Sequence, residues 1–124
     1  MLFPLIGVRL HGWLDDLVVL TYLLGAFGLH LGGGALAVAL AGATMHFLLT
    51  RFTNYPQGTV KVIPFRVHAF IELTEGAGVV AVTIGLLGAA PGPAHLFLLL
   101  LGLSQLAAFS FSDYRTPPPP PAAA

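Results

Sequence analysis

Four long apolar runs, at residues 12–31, 35–52, 65–87 and 94–111, alternate with short breaks of glycine, proline and polar residues. The breaks are Gly32, Gly33 and Gly34, then Asn54, Tyr55, Pro56, Gln57 and Gly58, then 88–93 with Pro91 and Pro93. Such residue types end helices more readily than they continue them. A helix rises 1.5 Å per residue, so about 20 residues cross a hydrocarbon core of about 30 Å. Each run predicts one spanning helix. The chain as a whole predicts an all-α integral membrane four-helix bundle over residues 1–116, followed at 117–124 by an extended or disordered Pro/Ala-rich tail.

Composition agrees with that pattern. Of 124 residues, 56% are hydrophobic and only 8% are charged, far below the quarter that keeps an ordinary domain in solution. Net charge is zero, which gives nucleic acid nothing to bind, and cysteine is absent, which removes disulfides and thiolate chemistry. No charged region and small-residue cleavage site mark the N-terminus, so a cleaved leader is not expected. The five basic residues Arg9, Arg51, Lys61, Arg66 and Arg115 all fall near the two termini or the middle loop. By the positive-inside rule both termini and the middle loop are cytoplasmic, in an inner (plasma) membrane.

The opening of the first run breaks the pattern. Arg9, His11, Asp15 and Asp16 crowd the place where an apolar span begins, and a related arrangement recurs downstream. Shifted by 57 (His11 to His68), IGVRLHGWLD at 6–15 aligns with IPFRVHAFIE at 63–72. Thr53, Asn54 and Tyr55 echo Ser112, Asp113 and Tyr114 at a shift of 59 (Tyr55 to Tyr114). This predicts two tandem two-helix repeats, about 6–56 and 63–115, related by an axis along the membrane normal. The order His, acid four residues on, apolar span, then a second copy opening IPFRVH resembles the SPW-repeat family of small bacterial membrane proteins. The likeness covers 9–115 and is most specific over 48–72, although the Ser-Pro-Trp tripeptide is absent from both expected places. The resemblance implies a four-helix membrane fold and carries no activity onto particular residues.

Positions i and i+4 share a helix face, so His11 stacks with Asp15 and His68 with Glu72, while Glu75 continues the second row one turn deeper. On the second helix His46 can reach the same layer. Buried charge in a bilayer costs about 2.5–3.5 kcal/mol per group on insertion scales, so this layer needs a reason. The plainest is structural, with Arg9 and Arg66 neutralising the acids. A second is a cofactor site, in which His11, Asp15, His46, His68, Glu72 and Glu75 hold a divalent metal or a haem, with His46 and His68 the first haem pair to consider. A third is a proton ladder through His68, Glu72 and Glu75, which runs short of polar lining beyond Glu75. Di-metal bundles use Glu-x-x-His, a spacing not matched here.

Rows of small residues (Ala35, Ala39, Ala43; Ala77, Ala81, Gly85) predict close helix approach, either inside the bundle or against another chain, and Trp13, Tyr55 and Tyr114 read as an interfacial aromatic belt. No nucleophile elbow or phosphate loop occurs, so catalysis is not expected. The first functional expectation is an accessory or scaffold subunit packing in the bilayer with other membrane subunits or as a homo-oligomer, with no cofactor. The alternative is a metal-, haem- or proton-handling protein built on the polar layer. If Asp15 and Glu72 share one layer, the stability losses of Asp15→Asn and Glu72→Gln are non-additive in a thermal double-mutant cycle; strictly additive losses mean that the two sites do not touch.

Overall fold

The computed structural model describes residues 3–88, 92–115 and 122–123. Four helices form: α1 (Val8–Gly28), α2 (Gly33–Phe52), α3 (Phe65–Gly85) and α4 (Pro93–Phe111). All four are long and apolar enough to cross a membrane, as a multi-pass membrane protein requires. The proline run at 117–121 and residues 89–91 of the third break lie outside the described residues.

Hydropathy alone misplaced the first helix. It begins at Val8, not at residue 12, so Arg9 and His11 lie inside its first turns. It ends at Gly28, where Leu29 closes onto the Gly25 carbonyl and His30 turns to a φ of 51°. α3 likewise stops at Gly85 and not at residue 87, and Gly88 takes a φ of 87° that only glycine adopts without strain. α4 starts on Pro93, whose missing N–H is no loss at a helix start.

Packing is closest within the pairs α1–α2 and α3–α4. The hairpins meet along α2–α3 and α1–α4, whereas no Cα of α1 comes within 8 Å of one in α3. Those two helices face each other diagonally across the bundle. The chain ends of the hairpins are exchanged: Ile6 N–H donates to Phe111 O at 2.9 Å and Asp113 N–H to Ile6 O at 2.9 Å. In the same way Ile63 N–H donates to Phe52 O at 2.8 Å, and Asn54 N–H to Ile63 O at 2.8 Å. Each hairpin start is thus tied to the end of a hairpin's second helix.

The core is inverted relative to a water-soluble domain. Leu17, Phe27, Phe70 and Ile84 point outward, while His11, Asp15, His46, His68, Glu72 and Gln105 are buried. Apolar faces meet lipid at no cost, so the interior is free to hold polar groups that satisfy one another. Small apolar residues close the bundle on one side of that layer, around Tyr22, Ala39, Ala43, Val79 and Leu98. Val8, Tyr55, Phe65, Ala69 and Tyr114 close it on the other.

The two small-residue rows face different ways: Ala39 and Ala43 are buried inside the bundle, and Ala77, Ala81 and Gly85 lie exposed on the outside of α3. The close approach instead uses Gly76 and Gly102: a Cβ on either would sit 3.1 Å from the other's carbonyl oxygen. Gly76→Val and Gly102→Val therefore lower the melting temperature through overpacking worth about 1–3 kcal/mol. Gly78→Ala, where a Cβ meets nothing within 4 Å, leaves it within a degree or two of wild type.

Candidate metal centre

All six residues singled out from the sequence fall in one connected network, and four of them converge. His11 and His68 project from the first turns of α1 and α3, each one turn before its carboxylate partner, Asp15 or Glu72. The two Nε2 atoms lie 3.2 Å apart. Around them His11 Nε2 is 3.4 Å from Asp15 Oδ1 and 3.5 Å from Glu72 Oε2, while His68 Nε2 is 3.3 Å from Asp15 Oδ2 and 4.0 Å from Glu72 Oε2. Both imidazoles are fully buried and both acids nearly so.

Their hydrogen-bond partners fix the proton positions. The Ser112 hydroxyl donates to Ala108 O at 2.6 Å, so it accepts from His11 Nδ1–H, also at 2.6 Å. The Thr53 hydroxyl donates to Leu49 O at 2.6 Å and accepts from His68 Nδ1–H at 2.8 Å. With Nδ1 of both neutral rings protonated, each Nε2 presents a lone pair, and the lone pairs face each other with two carboxylates alongside. A hydrogen bond between the Nε2 atoms would need one ring to be a cation. A protonated carboxyl of Asp15 or Glu72 would equally supply a donor to either Nε2.

The dimensions suit a small ion. A tetrahedral ion with bonds of about 2.0–2.2 Å spaces its ligand atoms about 3.3–3.6 Å apart. Here the two Nε2 atoms are 3.2 Å apart, His11 Nε2 meets Asp15 Oδ1 at 3.4 Å and His68 Nε2 meets Asp15 Oδ2 at 3.3 Å, Glu72 Oε2 stands 3.5 and 4.0 Å from the two rings, and one ligand atom from each of the four residues fits within a span of 4.8 Å. The outer partners also follow metal-site practice, in which a ligating His donates its other ring N–H and ligating carboxylates are themselves hydrogen-bonded. Tyr55 OH donates to Asp15 Oδ2 and Tyr114 OH to Glu72 Oε2, both at 2.7 Å. A haem does not fit: its plane would need room around the iron that the carboxylates and the aromatic rings of Phe65, Tyr55 and Tyr114 fill.

His46 and Glu75 stand one layer deeper. His46 Nε2 is 3.4 Å from Asp15 Oδ1 and its Nδ1 is 2.9 Å from Glu75 Oε2, so the imidazole bridges the two acids. Gln105 joins from α4, with its amide 3.2 Å from His46 Nδ1 and accepting from Tyr22 OH at 3.0 Å. Among the described residues the network goes no further across the bundle. A continuous proton ladder is not formed.

Several expectations change here. Arg9 and Arg66 are exposed and do not neutralise the buried acids, whose partners are imidazoles and phenols. The arginine pairs instead are Arg51 with Asp16 and Arg115 with Asp113. Tyr55 and Tyr114 belong to no lipid belt, because both are buried against the carboxylates; of the three aromatics only Trp13, 68% exposed, keeps that role. Thr53, Tyr55, Ser112 and Tyr114 are partners of the polar layer that the sequence reading does not place there. The echo of Thr53-Asn54-Tyr55 in Ser112-Asp113-Tyr114 was the available signal. His95 donates to the Leu87 carbonyl in a local contact away from the centre.

A scan against family models, a search of curated proteins and a search of solved structures each find no match to this chain.

Burial raises both the Tyr55 and Tyr114 phenols above the ordinary value, and the facing Asp15 and Glu72 charges add to the effect. The protonated, donating form is the one the fold favours. That contribution is fully present below the unfolded phenol value of about 10 and is lost as pH rises above it. Melting temperature therefore falls more steeply above about pH 10 in wild type than in the Tyr55→Phe/Tyr114→Phe double variant. At neutral pH each single Phe variant is less stable by about 1–3 kcal/mol, the cost of a buried acceptor left unpaired.

Proposed function

We propose that this chain is a membrane-embedded scaffold whose two helical hairpins are stapled together by one divalent metal ion, held by His11, Asp15, His68 and Glu72. The observation that carries the reading is the convergence of two imidazoles and two carboxylates whose candidate ligand atoms lie within 4.8 Å of one another, with both Nε2 lone pairs turned inward once Ser112 and Thr53 have fixed the imidazole tautomers. Two nitrogens and two oxygens suit zinc best, with iron(II) and manganese(II) as weaker fits. Four protein ligands and near-complete burial describe a closed site, the kind that contributes folding energy instead of activating water. The ion bridges α1 and α3, whose Cα atoms come nowhere within 8 Å of each other and whose side chains meet across the bundle. An accessory subunit built this way offers rigid apolar faces to lipid and to other membrane subunits or copies of itself.

The hairpins are tandem copies in this reading, with both termini and the middle loop on the cytoplasmic side of a bacterial inner membrane. Supporting it are the matched ties Ile6–Phe111 and Ile63–Phe52 and the paired contacts Tyr55–Asp15 and Tyr114–Glu72. Membership of the SPW-repeat family rests on the IPFRVH pattern and the four-helix arrangement.

Metal analysis of protein purified without a polyhistidine tag tests the staple. The expected result is one zinc per chain, a melting temperature that drops on chelation and recovers on zinc addition, and loss of the metal in His11→Ala and His68→Ala. Ser112→Ala and Thr53→Val retain all four ligands and bind zinc about 10–100-fold more weakly. Protein that stays metal-free after zinc addition, with an unchanged melting temperature, would overturn the proposal and leave a shared proton at the centre.

A further inference from the structure

A groove of about 570 Å³ opens outward between α2 and α3, with Val67 and Phe70 at one end and Val82 at the other. Along its α3 wall Val67, Phe70, Thr74 and Gly78 are exposed. At 1.5 Å per residue its ends lie about 22 Å apart along α3. That is longer than the roughly 15 Å that one leaflet contributes to a hydrocarbon core of about 30 Å.

Inside, the groove offers an occupant apolar contact alone. The Thr74 hydroxyl donates to Phe70 O at 2.8 Å, Glu75 Oε2 meets His46 Nδ1 at 2.9 Å, and Glu75 Oε1 is shut beneath the floor. The other seam between the hairpins is built of larger residues. Val38 and Ala41 on α2 have Phe97 and Leu100 at the positions 59 further on, and Gly78 has Thr21 at the position 57 before. Phe97 packs against α1 so closely that a Cβ on Gly25, 57 before Val82, would collide with its ring. One seam is filled by the chain's own phenylalanine where the other stands open.

Polar recognition lies at the mouth of the groove. Arg66 is exposed one turn before Phe70 on the same face of α3, and its guanidinium has no hydrogen-bond or ion-pair partner among the described residues. The two acids outside the buried layer, Asp16 and Asp113, already hold Arg51 and Arg115. Lys61 gives its ammonium to the Tyr55 carbonyl at 3.1 Å. Positive charge is thus in surplus at the end of the bundle where α1 and α3 begin.

We propose that the groove seats an acyl chain of an anionic phospholipid whose phosphate headgroup is held by the Arg66 guanidinium. A guanidinium fork matches phosphate oxygens two at a time, and basic residues at a membrane surface favour anionic lipid. A zwitterionic headgroup brings a cation of its own to a surface whose acids are already paired. A second copy of the chain brings the same surplus and, among its described residues, no unpaired surface acid to answer Arg66. Nothing in this argument needs a metal at the neighbouring centre.

Native mass spectrometry of the full-length protein in detergent, with phosphatidylglycerol and phosphatidylcholine of identical acyl chains, tests the site. Wild type is expected to bind phosphatidylglycerol about fivefold or more tightly, the worth of one basic side chain at a charged membrane surface. Arg66→Gln brings that ratio close to one, whereas Arg9→Gln, the matched cation on the filled side, keeps most of it. Gly78→Phe fills the groove where an added side chain meets nothing within 4 Å, and it weakens binding of both lipids while keeping the wild-type melting temperature. Equal affinity for the two lipids in wild type, equal losses in Arg66→Gln and Arg9→Gln, or binding unaffected by Gly78→Phe would overturn the proposal. So would a stable dimer that Gly78→Phe splits, because the groove would then belong to a second copy.

Discussion

Two imidazoles and two carboxylates, with candidate ligand atoms within 4.8 Å of one another, are held inside an apolar bundle. That constraint organises the rest of the molecule. His11 and His68 are prevented from turning their protons inward because Ser112 and Thr53, each committed as a donor to its own helix, can only accept. Two helices whose Cα atoms never approach within 8 Å are joined there through their polar side chains.

The bilayer explains why so polar a centre is tolerable. Lipid accepts the leucines and phenylalanines that a water-soluble protein of this size would have to bury, and the interior volume they vacate goes to histidine, carboxylate, phenol and amide. Nearly every buried polar side chain then finds a partner, with Glu75 Oε1 among the few exceptions. The same economy reaches the chain ends, where each segment preceding α1 or α3 spends its backbone groups on the end of α4 or α2.

Much of this was legible in the residues. Apolar run length gave the four helices, and the i, i+4 spacing placed each histidine over its acid. The six polar residues chosen from the sequence all lie in the buried network, which also takes in Thr53, Tyr55, Gln105, Ser112 and Tyr114. The misreadings share a cause. Tyr55 and Tyr114 were assigned to the interface because tyrosine near a span end has that average tendency, and Arg9 and Arg66 were assigned to the acids because opposite charges near in sequence attract. Neither rule knows which way a side chain faces once the loop has folded back over the bundle.

The sequence alone determines what each helix can offer: its length, its apolar coat, and a row of imidazole and carboxylate on one face, all consequences of local periodicity. Which rows meet is decided only in three dimensions. Gly76 against Gly102 sets how closely α3 and α4 pack, the exchanged chain ends set the diagonal placement of α1 and α3, and the folded loop turns two phenols inward. Contacts of that kind join residues dozens of positions apart, and no helical period encodes them.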